Sequence, residues 1–77
     1  MAMRTAMQPD IAGQDALQRA LNKLPYRQRA ALVLRFYEDL TERQTAKALG
    51  CAVGTVKSLV FRGLQTLKEE IRDEERD

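Results

Sequence analysis

The chain is predicted to be all-α: a small four-helix domain containing a helix-turn-helix, without a wing. Three observations carry this. Apolar residues recur at helical spacing from residue 11 to residue 71, with no alternating stretch of the kind a strand needs. Breakers are few, four Gly and two Pro, with Pro9, Pro25 and Gly50 marking segment boundaries and Gly13 weakening the start of the first helix. The chain has 77 residues, which leaves room for one small domain and excludes a multi-domain enzyme.

Residues 1–9 have no periodicity and close on Pro9, so they read as a disordered lead or linker, ahead of a domain over 10–70 and an acidic tail over 71–77. Ile11, Ala16, Leu17, Ala20, Leu21 and Leu24 make the first helical stripe, with Asp10 placed as an N-cap. Pro25 suits the first turn of the next helix, because the N–H it lacks has no partner there. That second helix is expected to run to Tyr37, burying Ala30, Val33, Leu34 and Tyr37 and leaving Arg27, Arg29 and Arg35 largely outside the stripe. Thr41 and Gln44 have the spacing of a capping box and start a short third helix. Gly50, the residue type that tolerates a left-handed conformation, ends it. After the turn through Cys51 and Ala52 comes a last helix from about Val53 to Glu70. In it Val53, Val56, Val60, Leu64, Leu67 and Ile71 fall within about 80° of arc and are expected to form the core stripe.

Hydrophobic residues make up 44% and charged residues 31%, a globular composition and not that of a disordered chain. One cysteine and no histidine exclude a disulfide framework and a Cys/His zinc site; no cofactor or metal is expected, and Cys51 reads as a turn residue at the edge of the core. There is no apolar run of about 18 residues and no signal-like start, so a cytoplasmic location without membrane contact is expected. The net charge of +2 hides an asymmetry. Arg27, Arg29, Arg35, Arg43, Lys47, Lys57, Arg62 and Lys68 outweigh Glu38, Asp39 and Glu42 in the body, whereas acidic residues dominate from Glu69 onward. A basic helical body favours a polyanionic partner, and the acidic end reads as a solvated tail. No catalytic constellation surrounds Tyr26 or Tyr37, so the chain is not expected to be an enzyme.

A short helix ended by glycine, a tight turn and an amphipathic second helix together make a helix-turn-helix, whose second helix enters a major groove. Such a helix needs small residues at its start, cations for phosphate or guanine edges, and hydroxyls for adaptable hydrogen bonds. Gly54, Ser58, Arg62 and Gln65 on the face opposite the stripe, with Thr55 and Lys57 at its edges, supply these, and Phe61 on the same face can meet a thymine methyl. A basic pair on a helix is often only a solvated face. Its place in this motif is what favours DNA contact.

The run from Leu21 to Leu67 resembles region 4 of bacterial RNA polymerase sigma factors of the extracytoplasmic-function group. Its most specific parts are Leu24-Pro25 followed by Arg27-Gln28-Arg29, the Leu49-Gly50-Cys51 turn, and Gly54-Thr55-Val56-Lys57-Ser58. The resemblance implies a domain that binds the promoter −35 element through its last helix and docks on the β-flap of the polymerase core, with an anti-sigma factor as a further partner. It implies base or phosphate contacts for Lys57, Ser58, Phe61 and Arg62, and phosphate contacts for Thr55 and Arg43. Three residues depart from the family pattern. Leu59 replaces a common arginine and should add exposed apolar surface, Ala52 removes a side-chain N-cap, and Thr45 stands where isoleucine is frequent and should thin the core. The resemblance also implies a separate domain for the −10 element that 77 residues cannot hold, so a fragment of a longer protein or a degenerate stand-alone domain, monomeric in isolation, is expected. Two other readings compete. One is an interaction-only module; the other is a LuxR-type response-regulator output domain, against which the Leu24-Pro25 helix argues.

Overall fold

In the computed structural model, residues 11–76 are described, with side chains over 15–75. Residues 1–9 and the Asp10 cap lie outside them. The described residues form four helices: α1 (Ile11–Asn22), α2 (Tyr26–Leu32, continuing as a π-helical turn over Val33–Tyr37), α3 (Glu42–Leu49) and α4 (Val53–Arg76).

The connections are built from local chemistry. Pro25 sits at the N-cap of α2 in extended conformation, one position earlier than expected. Arg29 reaches back to donate from Nη1 to the carbonyl of Asn22 at 3.3 Å, satisfying an orphan acceptor at the end of α1. It also stacks 5.8 Å from the Tyr26 ring centroid. Within the Arg27-Gln28-Arg29 run, Arg29 therefore has a structural role at this corner. The π turn closes with the Glu38 N–H donating to the Val33 carbonyl at 2.9 Å, and Asp39 then adopts φ 61°, a conformation that short polar side chains tolerate.

Both expected caps of α3 are present. Thr41 Oγ1 accepts from the Gln44 N–H at 3.0 Å and Gln44 Oε1 accepts from the Thr41 N–H at 2.8 Å. Gly50 takes φ 68°. The N–H of Cys51 donates to Ala46 and that of Gly50 to Lys47, the pair of bonds that defines a Schellman end.

The core is thin. Ala20, Leu24, Ala31, Leu32, Ala46 and Val56 are its buried apolar residues, joined by Thr45. Thr45 is fully buried and donates from its hydroxyl to the Thr41 carbonyl at 2.9 Å, so it occupies the core as a satisfied polar group. α4 packs most broadly against α2, and Gly63 is buried at that contact.

Two expected stripes are corrected. Tyr37, expected inside, is 83% exposed, and Ala31 and Leu32 are buried on α2 in its place. Ala31 and Leu32 lie ahead of the π turn, so the buried face of α2 itself differs from the expected stripe, and the π turn then moves the residues after Leu32 off a constant 100° step. On α4, Leu64 is 42% exposed while Val56 and Gly63 are buried. The buried face is thus rotated toward Gly63, because a residue without a side chain lets α2 approach there. Leu59 is half-buried by the same rotation and does not stand as exposed apolar surface. α4 also runs past Glu70 to Arg76, carrying into a helix the acidic residues expected in a tail.

Candidate nucleic-acid interface

α4 begins where the Ala52 carbonyl accepts from the N–H groups of Thr55 and Val56 at 3.0 and 3.1 Å. Alanine offers no side-chain cap, so this end of the helix depends on the turn from Gly50 for its position. The α3 N-terminus, fixed by its capping box, lies alongside: Glu42 Oε1 is 3.8 Å from Lys57 Nζ. Both partners are substantially solvated, so the pair contributes little to stability and is screened by salt.

Every residue expected at the interface is solvent-exposed: Arg43 on α3, and Thr55, Lys57, Ser58, Phe61, Arg62 and Gln65 on α4. Thr55, Ser58, Phe61, Arg62 and Gln65 share one face; Lys57 lies at its edge, turned toward α3. Phe61 is 64% exposed, an apolar ring on a polar face. A Cβ at Gly54 would meet nothing within 4 Å, so the helix start is open to close approach. Thr66, one turn on from Arg62, donates its hydroxyl to the Arg62 carbonyl at 3.0 Å.

The cations divide by role. Arg29 is used at the α1 end, and Arg35 donates from Nη1 to the Leu40 carbonyl while stacking on Phe36 at 5.5 Å. These two brace the α2 connections. Glu42, beside Lys57, was not foreseen; its position in the first turn of α3 is the signal that places it near the start of α4.

A second feature lies away from this face. Leu17 and Leu21 of α1, Leu32, Val33, Phe36 and Tyr37 of α2, and Leu64 and Leu67 of α4 line an open, mostly apolar groove, with Asp15, Gln18 and Arg29 as its polar lining. Leu64 and Leu67 stand at least roughly 100° around α4 from Ser58, Arg62 and Gln65. Phe61, about 60° from Leu64, lies between the two surfaces. Among the described residues no helix is long and apolar enough to cross a membrane.

Comparison with known proteins matches residues 14–67 to the family described as Sigma-70, region 4. The chain is 41% identical over 58 residues to the RNA polymerase sigma-E factor of Streptomyces antibioticus, covering 75% of this chain and 32% of that protein. It is 36% identical over 59 residues to the RNA polymerase sigma factor SigV of Bacillus subtilis, 77% of this chain and 36% of that protein. With the ECF RNA polymerase sigma factor RpoE of Cereibacter sphaeroides it shares 38% identity over 55 residues, 71% of this chain and 30% of the relative. The chain thus spans about a third of the length of these relatives. The matched segment contains α3 whole and α4 as far as Leu67, and the chain belongs to the sigma-70 region 4 family, as a region 4 domain of the extracytoplasmic-function type.

Proposed function

We propose that this domain binds the promoter −35 element through the exposed face of α4 while the apolar groove docks on the β-flap of the RNA polymerase core, in the cytoplasm where that enzyme works. The observation that carries the DNA reading is the placement of Thr55, Ser58, Phe61, Arg62 and Gln65 on one exposed face of a helix that follows a glycine-ended turn. Arg62 and Gln65 reach base edges, Phe61 meets a thymine methyl, and Thr55, Lys57 and Arg43 contact phosphates. Lys57 exchanges Glu42 for phosphate as DNA arrives. The groove supports docking by its composition: Tyr37, Phe36, Leu17 and Leu64 leave apolar area in water that an amphipathic helix covers.

An amide chemical-shift titration with a short −35 duplex and a scrambled duplex tests the DNA reading. Shifts concentrated at Thr55–Gln65, stronger with the specific duplex, are expected. The affinity should fall with salt at a slope matching about three to five phosphates. A flat salt response, or no shifts with either duplex, would leave a protein ligand for that face, such as an anti-sigma factor.

A further inference from the structure

The acidic end of α4 reaches back to α1. Glu74 accepts from Nε and Nη2 of Arg19, both at 2.8 Å, and Lys23 Nζ lies 3.7 Å from Glu70 Oε1. Each partner recurs at i, i+4, so the two pairs are successive rungs, the first from α1 and the second from Lys23 in the turn that follows it. The bidentate rung is the stronger geometry, and the hydrogen bond from Arg19 holds the Glu74 carboxyl below the usual glutamate range.

These rungs matter because of what α1 does. Leu17, Gln18 and Leu21 form one wall of the groove. Apolar anchorage of α1 is slight over that stretch, since its fully buried residue is the small Ala20 and Leu17 is 43% exposed. Leu24 anchors only the far end. Both carboxylates lie beyond residue 67, where the match to the family ends.

We propose that Arg19–Glu74 and Lys23–Glu70 form an electrostatic clasp that positions α1 as the groove wall, so that the last turns of α4 set the affinity of the groove for its partner. The four are positioning residues, and the proposal rests on the docking reading of the groove. The test uses the whole chain with Arg19→Glu, Glu74→Arg and the double swap, and the isolated flap domain of a bacterial polymerase β subunit as probe. Each single reversal should weaken flap binding about fivefold at low salt, and the swap should restore it to within about twofold. In 0.5 M salt, roughly, the differences should close. The preference for a −35 duplex over a scrambled one should not move. In parallel, amide exchange at Leu17–Asn22 should quicken in the single reversals and recover in the swap, with Val56–Leu64 unchanged.

Single reversals that bind the flap like wild type, or a swap that fails to restore binding, would overturn the clasp. If the wild-type chain binds no flap, the docking reading falls, and the clasp stands or falls on the α1 exchange rates alone.

Discussion

Gly54 and Gly63 lie on the same helix and give opposite answers to the same substitution. Alanine for glycine in a helix interior gains about 0.8–1 kcal/mol, and somewhat less, about 0.5 kcal/mol, in the first turn where Gly54 sits. At Gly54 the new methyl meets nothing within 4 Å, so Gly54→Ala should stabilise by that amount. At Gly63 it would lie 3.1 Å from Leu32 Cγ, 3.2 Å from Leu32 Cδ1 and 3.4 Å from the Gln28 carbonyl oxygen. Carbon contacts are best at about 3.5–4.0 Å, so Leu32 must retreat by about half an ångström. Leu32 is 5% exposed and can yield only toward the groove it borders, whereas the Gln28 oxygen moves only if α2 moves. Overpacking of this kind costs about 1–3 kcal/mol. Set against the propensity gain, Gly63→Ala should destabilise by about 1 kcal/mol, and Gly63→Val, adding two more methyls, by about 3 kcal/mol. Urea melts followed by circular dichroism read these directly, and in thermal melts 1 kcal/mol is roughly 4–8 °C for a domain of this size. Equal stabilisation by Gly54→Ala and Gly63→Ala would refute the close approach of α2 to α4 and, with it, the rotated core face.

Three further outcomes are expected. Val56→Ala, at a fully buried site, should cost about 2 kcal/mol, whereas Leu64→Ala should cost no more than about 1 kcal/mol, because its side chain is nearly half exposed; chemical denaturation of the two variants ranks them, and the reverse order would restore the unrotated stripe. Thr41→Ala removes the capping box and should lower stability by about 1 kcal/mol, with loss of amide protection confined to the start of α3; an unchanged melt would show that the box is idle in solution. The Glu74 carboxyl faces Arg19, with Lys23 nearby, and its folded pKa is lowered, so its contribution is present above the usual glutamate range and is lost as the pH falls through the folded value. A carbon-detected titration should place its midpoint below that of an exposed glutamate, and Arg19→Gln should bring it back; a normal midpoint in the wild-type chain would remove the bidentate pair.

How much of this was legible in the sequence divides along the range of the interactions involved. The helix-turn-helix was legible because its signals are local: Thr41 and Gln44 close on each other within one turn, and Gly50 needs only its own φ. The polar face of α4 was legible for the same reason, since residues that must stay wet declare themselves by type. What failed was phase. Gly63 counts for nothing in a hydrophobic pattern, yet in a thin domain the place where a side chain is missing is where another helix can come closest, and α4 turned to put it there. On α2, the apolar pattern missed Ala31 and Leu32 as the buried pair, and the π turn over Val33–Tyr37 then broke the constant step on which the projection of the remaining residues depends. The acidic end was misplaced because a charge run reads as solvated unless its partners are known, and Arg19 lies 55 residues away in sequence. These three misses converge on one surface. Rotating α4 toward Gly63 turns Leu64 outward, rephasing α2 turns Tyr37 outward, and α1 is held beside both by ion pairs in place of a deep apolar contact. The apolar groove is therefore the consequence of the same packing that the local signals could not foresee, and a search of the sequence for hydrophobic stripes counts its lining as core.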